Sequence, residues 1–282
     1  MEEPYVIGFL TDFGLKDPYV GICKAVIASI TPKAKVIDIT HFVNPQDLVQ
    51  AALYLKVSLP SFPARTIFLA VVDPGVGSKR APIIVTEGQR AFVGPDNGIF
   101  SLAIKDLENP VFYKIDTGLL GEKMSEFGVT RQESSTFHGR DIFSPAAALL
   151  ARNVPAWEFC TKLSSTPKGL QIPDVVLDDS SIKGSILYFD HFGNGATNIT
   201  ESHLSAISCN GNALRISVST RVGNSLEVPF GRTFSSVEQG SPVAYVNSFG
   251  YLEVAVNGGN AREKLGLEKG DAVMVTCRNQ KR

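Results

Sequence analysis

The 282-residue chain lacks a charge excess of either sign: 27 Lys and Arg stand against 28 Asp and Glu, leaving a net charge of −1. Without a basic surplus, or any run of bases beyond Lys281-Arg282, it has no electrostatic means of holding a phosphate backbone, so no nucleic-acid partner is expected. No apolar stretch approaches the ~20 residues that span a bilayer. The start Met1-Glu2-Glu3-Pro4 has neither the basic region nor the apolar run of a secretory signal, and no membrane partner is expected. The cysteines Cys23, Cys160, Cys209 and Cys277 are scattered with no C-x-x-C pair, a spacing that suits neither a zinc site nor a disulfide framework. A reduced, soluble, cytoplasmic protein is the expectation. The histidines His41, His138, His191 and His203 form no H-E-x-x-H or other i, i+4 pair, so no metal site is expected. A G-x-S-x-G nucleophile elbow is missing, and Gly75-x-Gly77 fits neither phosphate-loop pattern. Asp12-Phe13-Gly14 and His138-Gly139-Arg140-Asp141 look like protein-kinase tripeptides, but they occur in reversed order and without the other kinase elements.

What is present is an ordinary globular balance, 44% hydrophobic and 20% charged, enough for one large or two medium domains with real cores. The first half alternates strand and helix signals. Tyr5 to Leu10 reads as a buried strand, Pro18 to Ile30 as a helix, and Val36 to Ile39 as a strand. Asn44-Pro45 reads as an N-cap with proline at the first helical position, opening a helix through Leu55. Strands Thr66–Val72, Ile83–Val85 and Ala91–Val93 follow, then helices over Ile99–Leu107 and from Ser144 to Leu150. Strands separated by helices imply βαβ units and a mainly parallel sheet. Residues 166–181 are polar and turn-rich and read as a linker. Beyond them, short β-branched or aromatic runs dominate (Ile186–Phe189, Leu214–Val218, Val243–Val246, Tyr251–Val256, Ala272–Thr276), with one helical signal at Ala261–Leu265. The expected fold is therefore α/β: a Rossmann-like domain over 1–165, a linker over 166–181, and an antiparallel barrel-like domain over 182–282.

The densest chemistry lies where the apolar run Thr66 to Val72 ends in Asp73-Pro74-Gly75-Val76-Gly77-Ser78-Lys79-Arg80. Ligand sites in open α/β sheets lie beyond the carboxyl ends of the strands, so a charged pair there is a site candidate as well as a surface turn. Asp12 and Asp17 follow the first strand and Asp190 follows Ile186–Phe189, while Asp38 sits inside a strand-like run and reads as structural. Carboxylates without a matching set of bases suit a substrate that is cationic or rich in hydroxyls; a turn-capping role is the alternative for each. In Asp190-His191-Phe192-Gly193-Asn194, the amide offers a donor and an acceptor to a purine edge. Phe192 and Phe234 could supply stacking faces. The bland reading is a β-turn with a core Phe. Asn247-Ser248-Phe249-Gly250-Tyr251-Leu252-Glu253 and Gly258-Gly259-Asn260-Ala261 complete the set, with a hairpin as their plain reading.

Taken in order, the segments Thr11-Asp12-Phe13-Gly14-x-x-Asp17, Asp73-Pro74-Gly75-Val76-Gly77 with Arg80, Gly94-Pro95-Asp96-Asn97-Gly98, Phe137-His138-Gly139-Arg140-Asp141, Asp190-x-Phe192-Gly193-Asn194-x-x-Thr197-Asn198, Asn247-Ser248-x-Gly250-x-Leu252-Glu253 and Gly259-Asn260-Ala261 span nearly the whole chain. On them the chain resembles the S-adenosyl-L-methionine (SAM) hydroxide adenosyltransferases, adenosine-forming SAM hydrolases related to the SAM-dependent fluorinase and chlorinase. The resemblance implies an N-terminal α/β domain, a C-terminal barrel-like domain, and a homotrimer with active sites at subunit interfaces. It implies a catalytic set on Asp73, Arg80 and His138, and ribose hydroxyls on Asp12. The methionine end falls to Asp17, Asp190 and Ser248, the adenine end to Asn194 and Asn260-Ala261; Glu253 lies within the matched segment and is taken as a further substrate contact. SAM is then the substrate and no separate cofactor is implied. The halogenases carry an extra loop after the strand that follows the arginine, and they lack the acid at the position of Asp73. This chain keeps Asp73 and passes from Val85 to Ala91 with no room for that loop. A non-catalytic adenosine- or SAM-binding module is the alternative from another class, and a halogenase-like enzyme is disfavoured.

Overall fold

The structure, a computed structural model, describes residues 5–207, 214–220, 223 and 225–277. The Met1–Pro4 start, Cys209 and the Lys281-Arg282 tail lie outside them. The chain divides into two compact units between Leu170 and Gln171, within the polar stretch read as a linker.

In unit 1 a continuous apolar strand, β1 (Val6–Thr11), leads through the Asp12 loop into α1 (Tyr19–Ile30) and returns as β2 (Lys35–Thr40). Helix α2 (Leu48–Ser58) precedes β3 (Thr66–Val71), and β4 (Pro82–Glu87) and β5 (Arg90–Pro95) form a hairpin. After β6 (Val111–Ile115) come α3 (Thr117–Glu126), α4 (Ser144–Ala151) and β7 (Cys160–Lys162). The sheet order is β2-β1-β3-β5-β4-β6-β7. Strands β2, β1, β3 and β5 pair in parallel, β4 runs against both β5 and β6, and β7 runs against β6. Five strands thus point one way, giving the mixed, mostly parallel sheet of a Rossmann-like layer. β3 is buried at all six positions, as a strand covered on both faces must be. One face packs against α1 and α4 through Ile27, Phe143 and Ala147, the other against α2 through Ala51 and Leu55.

Unit 2 is built on an antiparallel sheet of β8 (Val176–Asp178), β9 (Ser181–Phe189), β10 (Gly195–Thr200), β11 (Leu214–Ser219), β12 (Ser225–Pro229), β13 (Pro242–Val246), β14 (Tyr251–Val256) and β15 (Ala272–Cys277). Its order is β12-β11-β15-β9-β10-β14-β13, and β8 pairs with β9. An isolated bridge from Phe230, just past β12, to Ala244 of β13 ties the two ends together. The sheet therefore curls into a barrel-like wall around Ile182, Ile199, Val254 and Val275. Helices α5 (Glu201–Ala206) and α6 (Ala261–Leu265) cap its loops.

Five sequence expectations are corrected. The helix expected from Asn44-Pro45 begins at Leu48 with Asp47 as its cap, because Gln46 adopts a left-handed backbone (φ 65°) and breaks the turn before it. Residues 99–107 form successive turns, not a helix; the spacing of the buried Ile99, Phe100 and Ala103 is met by three- and four-residue bonds such as Ser101 N–H to Gly98 O and Ile104 N–H to Phe100 O. Within the polar 166–181 stretch, Val176–Asp178 is strand, and α5 is a further helix in the second half, opened by a Thr200/His203 capping box. Finally, Cys277 is disulfide-bonded, whereas Cys23 and Cys160 are free and buried. Their burial pushes the two free thiols up to about 11 and about 12, respectively. Among the described residues no helix is long and apolar enough to cross a membrane.

Candidate active site

The carboxyl end of β3 places Asp73 two residues beyond Val71, and two overlapping turns, Val76 N–H to Asp73 O and Ser78 N–H to Gly75 O, fold the chain back so that Arg80 faces Asp73. Arg80 Nε donates to Asp73 Oδ1 at 3.0 Å and its Nη2 donates to Oδ2, a bidentate ion pair. Both side chains are nearly buried, 5% and 6% exposed, so the pair works in a medium where its charges are weakly screened. The same Nη2 lies 2.8 Å from His138 Nδ1. An arginine is always a donor, so Nδ1 must accept and the ring proton resides on Nε2. Burial, followed by the Arg80 cation, holds His138 below its ordinary pKa.

His138 is presented by an unusual backbone. It precedes a π-helical turn over Gly139–Phe143, closed by Ser144 N–H to Gly139 O, that runs straight into α4. The turn also sets Phe143 under the Arg80 guanidinium, 5.0 Å from ring centre to Cζ. Single π turns inside α-helices recur at functional sites because they re-aim one residue. The Asp73–Arg80 loop is locked onto the segment ahead of His138 at Gly77. Its φ is +76°, and an added Cβ would lie 2.6 Å from the Ser135 carbonyl oxygen. Asn97, from the Gly94–Gly98 turn, donates to the Val72 carbonyl at 2.8 Å and fixes the residue before Asp73.

Asp12 joins this group. A cavity of about 160 Å³ is lined by Asp12, Phe13, Val76, Phe137, Asp73 and His138 among others. Gln46 N–H donates to Asp12 Oδ2 at 2.9 Å, so the backbone that displaced the start of α2 orients this carboxylate. Beneath the loop, Thr11 Oγ1 lies 2.8 Å from His41 Nδ1, and His41 Nε2 lies 3.1 Å from Asp38. Asp38 and His41 are thus structural supports. Asp17 is exposed ahead of α1 and lines neither this cavity nor the second one beside Arg80.

In unit 2 the 190–194 turn is shaped by Asp190, whose Oδ1 accepts from Phe192 N–H and Asn194 N–H and whose Oδ2 accepts from Asn194 Nδ2. Asn194 is 2% exposed, and its Oδ1 is a buried acceptor with no partner among the described residues, an arrangement that calls for an explanation. Gly193, at φ +83°, passes so close to Asn260 that a Cβ would overlap the amide, and Arg262 N–H donates to the Gly193 carbonyl. This draws the 190–194 and 260–262 segments together. Asn260 caps α6 by accepting from Glu263 N–H at 3.1 Å. Ala261 is fully buried. Phe192 is 70% exposed, and Phe234 packs edge-on against Tyr245 at 4.9 Å.

Glu253 has a different place from the one its motif implied. It is buried, with Oε1 accepting from Tyr245 Oη and Oε2 from Asn247 Nδ2 at 2.8 Å. Asn247 Oδ1 in turn accepts from Phe249 N–H and Tyr251 N–H, so Glu253 holds the turn that carries the exposed Ser248. Burial, with Asp190 nearby, raises the Glu253 pKa despite these donors. Sequence reasoning also missed Gln46, Asn97 and Ser135, which act through backbone contacts; only Asn97, inside the Gly94–Gly98 turn, carried a sequence signal.

The comparisons with known proteins cover both halves of this arrangement. Residues 7–160 match the SAM hydroxide adenosyltransferase N-terminal domain and residues 184–274 its C-terminal domain. The chain belongs to the SAM hydroxide adenosyltransferase family. Among its relatives, an (R)-S-adenosyl-L-methionine hydrolase from Thermus thermophilus is 40% identical, the match covering 95% of this chain and 98% of that one. One of the same name from Salinispora tropica is 36% identical over 96% and 97%. A fluorinase from Nocardia brasiliensis is 26% identical over 96% of each. An uncharacterized conserved protein from Thermotoga maritima superposes with a TM-score of 0.82 at 34% identity, covering 95% of this chain and 99% of that one. In this member of the family, β4 and β5 are joined by the two residues Gly88 and Gln89 alone, with Glu87 paired to Arg90.

Proposed function

We propose that this chain hydrolyses SAM to adenosine and L-methionine. The observation that carries the reading is the buried Asp73–Arg80 pair bonded to His138, with Asp73 and His138 bordering one cavity with Asp12. Hydrolysis forms a C5′–O bond and breaks the C5′–S bond, whose electron pair returns to sulfur as neutral thioether; water contributes the oxygen and one proton is released. The leaving group needs no acid, so the protein's task is to hold water in line with the C–S bond and stabilise its developing hydroxide character. Among the described residues no bond engages Arg80 Nη1, which leaves its protons for that oxygen. The Asp73 carboxylate is the base of the set, and His138, holding Arg80 in register, is its orienting partner.

On the same reading Asp12 Oδ1 takes the ribose hydroxyls, and the free Asn194 Oδ1 takes the adenine amine beside the Asn260-Ala261 backbone. Phe192 and Phe234 supply stacking faces, and Ser248 and Asp17 meet the methionine end. Asp190 has three of its roughly four lone-pair positions filled by its own turn, so it contributes there mainly through charge. The 160 Å³ cavity of unit 1 is smaller than the roughly 300 Å³ and upward of small-molecule sites, which supports a site completed by groups outside it. A homotrimer with sites between copies is part of the proposal, as is a cytoplasmic setting. The two-residue β4–β5 turn and the retained Asp73 favour water over halide. The test is incubation with SAM in 18O-labelled water. Labelled adenosine with methionine is expected; a 5′-halo nucleoside would show a halogenase, and unchanged SAM a binding module.

A further inference from the structure

The Asp73–Arg80–His138 set is a partition as well as a cluster. On one side lies the 160 Å³ cavity with Asp12 and Asp73. A second cavity of about 480 Å³ borders Arg80 and is lined also by Ser78, Thr117, Arg131, Glu133 and Ser134. His138 lines both. The second cavity is polar, walled by hydroxyls and charges of both signs, and its volume exceeds several times the ~30 Å³ that a water molecule occupies. Pro82 and Ile142 also line it, and with hydroxyls and charges around most of the wall its content in the absence of a ligand is solvent.

We propose that this second cavity is the route by which water reaches the reacting centre and the released proton leaves it while SAM fills the first. The inference rests on the hydrolase reading and adds to it a requirement of the chemistry. Each turnover consumes one water and liberates one proton, while the bound substrate closes the side from which it entered. Arg80 and His138, the residues shared between the cluster and the second cavity, stand where both must pass. Thr117, the first residue of α3, and Ser134 lie on its wall outside the Asp73–Arg80–His138 set, so side chains there can fill the space without altering the bonded groups.

Thr117→Trp and, independently, Ser134→Trp should lower kcat on the order of tenfold with KM for SAM within about twofold, and should enlarge the solvent deuterium isotope effect on kcat. Unchanged kcat in both variants, with thermal unfolding showing them folded, would overturn the proposal. A second measurement does not depend on hydrolysis: carbethoxylation of histidines by diethyl pyrocarbonate, mapped by peptide mass. Labelling of His138 should slow in each Trp variant while the exposed His191 labels at its wild-type rate. Slowed labelling in a protein that leaves SAM intact would keep the access route and sink the hydrolase reading. Labelling of His138 at its wild-type rate in both variants would sink the route.

Discussion

Arg80 concentrates the residue-scale argument, because one planar guanidinium serves Asp73 through two nitrogens and His138 through one. A lysine at that position keeps the charge but has a single nitrogen, so it cannot serve both partners in the same geometry. Arg80→Lys is expected to lower kcat by roughly 10²–10³, the loss typical of one preorganised donor, with SAM affinity nearly kept; equal loss of both in steady-state and calorimetric measurements would make Arg80 a binding residue. His138 gives the pH dependence. Its imidazole is held below its ordinary value of 6.5 by burial and by Arg80, and protonation would turn the Nδ1 acceptor into a cation facing a cation. kcat/KM should therefore be independent of His138 above pH 6.5 and fall as the pH drops below it, with the inflection under 6.5. The stability that neutral His138 contributes is complete above the unfolded value and is lost as the pH falls through the folded one. His138→Asn should remove both the acid inflection and that slope in chemical denaturation at several pH values. At this scale the sequence was most legible: Asp73, Arg80 and His138 were named by motif, although 58 positions separate the bonded Arg80 and His138. Gln46, which aims Asp12 through a backbone N–H, was not, because any residue except proline could supply that donor.

At the scale of elements, the loop after β3 and the turn after β13 are held by contacts that side-chain chemistry does not announce. Gly77→Ala forces a β-carbon toward the Ser135 carbonyl at an already left-handed φ, so the loop must move; about 1–3 kcal/mol of stability is the expected loss. Turnover should fall further than SAM binding, since Arg80 rides on the same loop, and thermal unfolding with single-turnover kinetics would show it. Glu253→Gln probes the other turn. The amide replaces one acceptor of a pair that both receive hydrogen bonds, leaving the Asn247 donor or its own NH₂ unpaired at a cost of about 1–3 kcal/mol. Because that loss falls on the Ser248 turn, KM for SAM should rise with kcat nearly kept, and a pure fall in kcat would contradict the positioning role. Long, strongly patterned elements such as β3 and α1 were legible from hydrophobic period alone. The capped start of α2 and the turns over 99–107 were not, because one depends on a backbone bond to the Asp12 loop and the other on burial that imitates helical spacing; the π turn, closed by Ser144 N–H to Gly139 O, has no hydrophobic period of its own to read.

For the whole molecule, the fold class could be read from the order of strands and helices, whereas the Cys277 disulfide could not be, since cysteine spacing does not report which strands meet. The proposed site residues divide between the units: Asp12, Asp73, Arg80 and His138 in one, Asn194, Asn260 and the Ser248 turn in the other. If sites form between copies, inactive Asp73→Ala and inactive Asn194→Ala chains, mixed after dissociation and reassembled, should regain activity. Each site would then draw its first half from one copy and its second from a neighbour, so random mixing restores about a quarter of the sites. No recovery, with mixed oligomers confirmed by native mass spectrometry, would place both halves of the site in one chain. Recovery near a quarter would fix the arrangement between copies, and dilution below the assembly concentration should then abolish turnover in the unmodified protein as well.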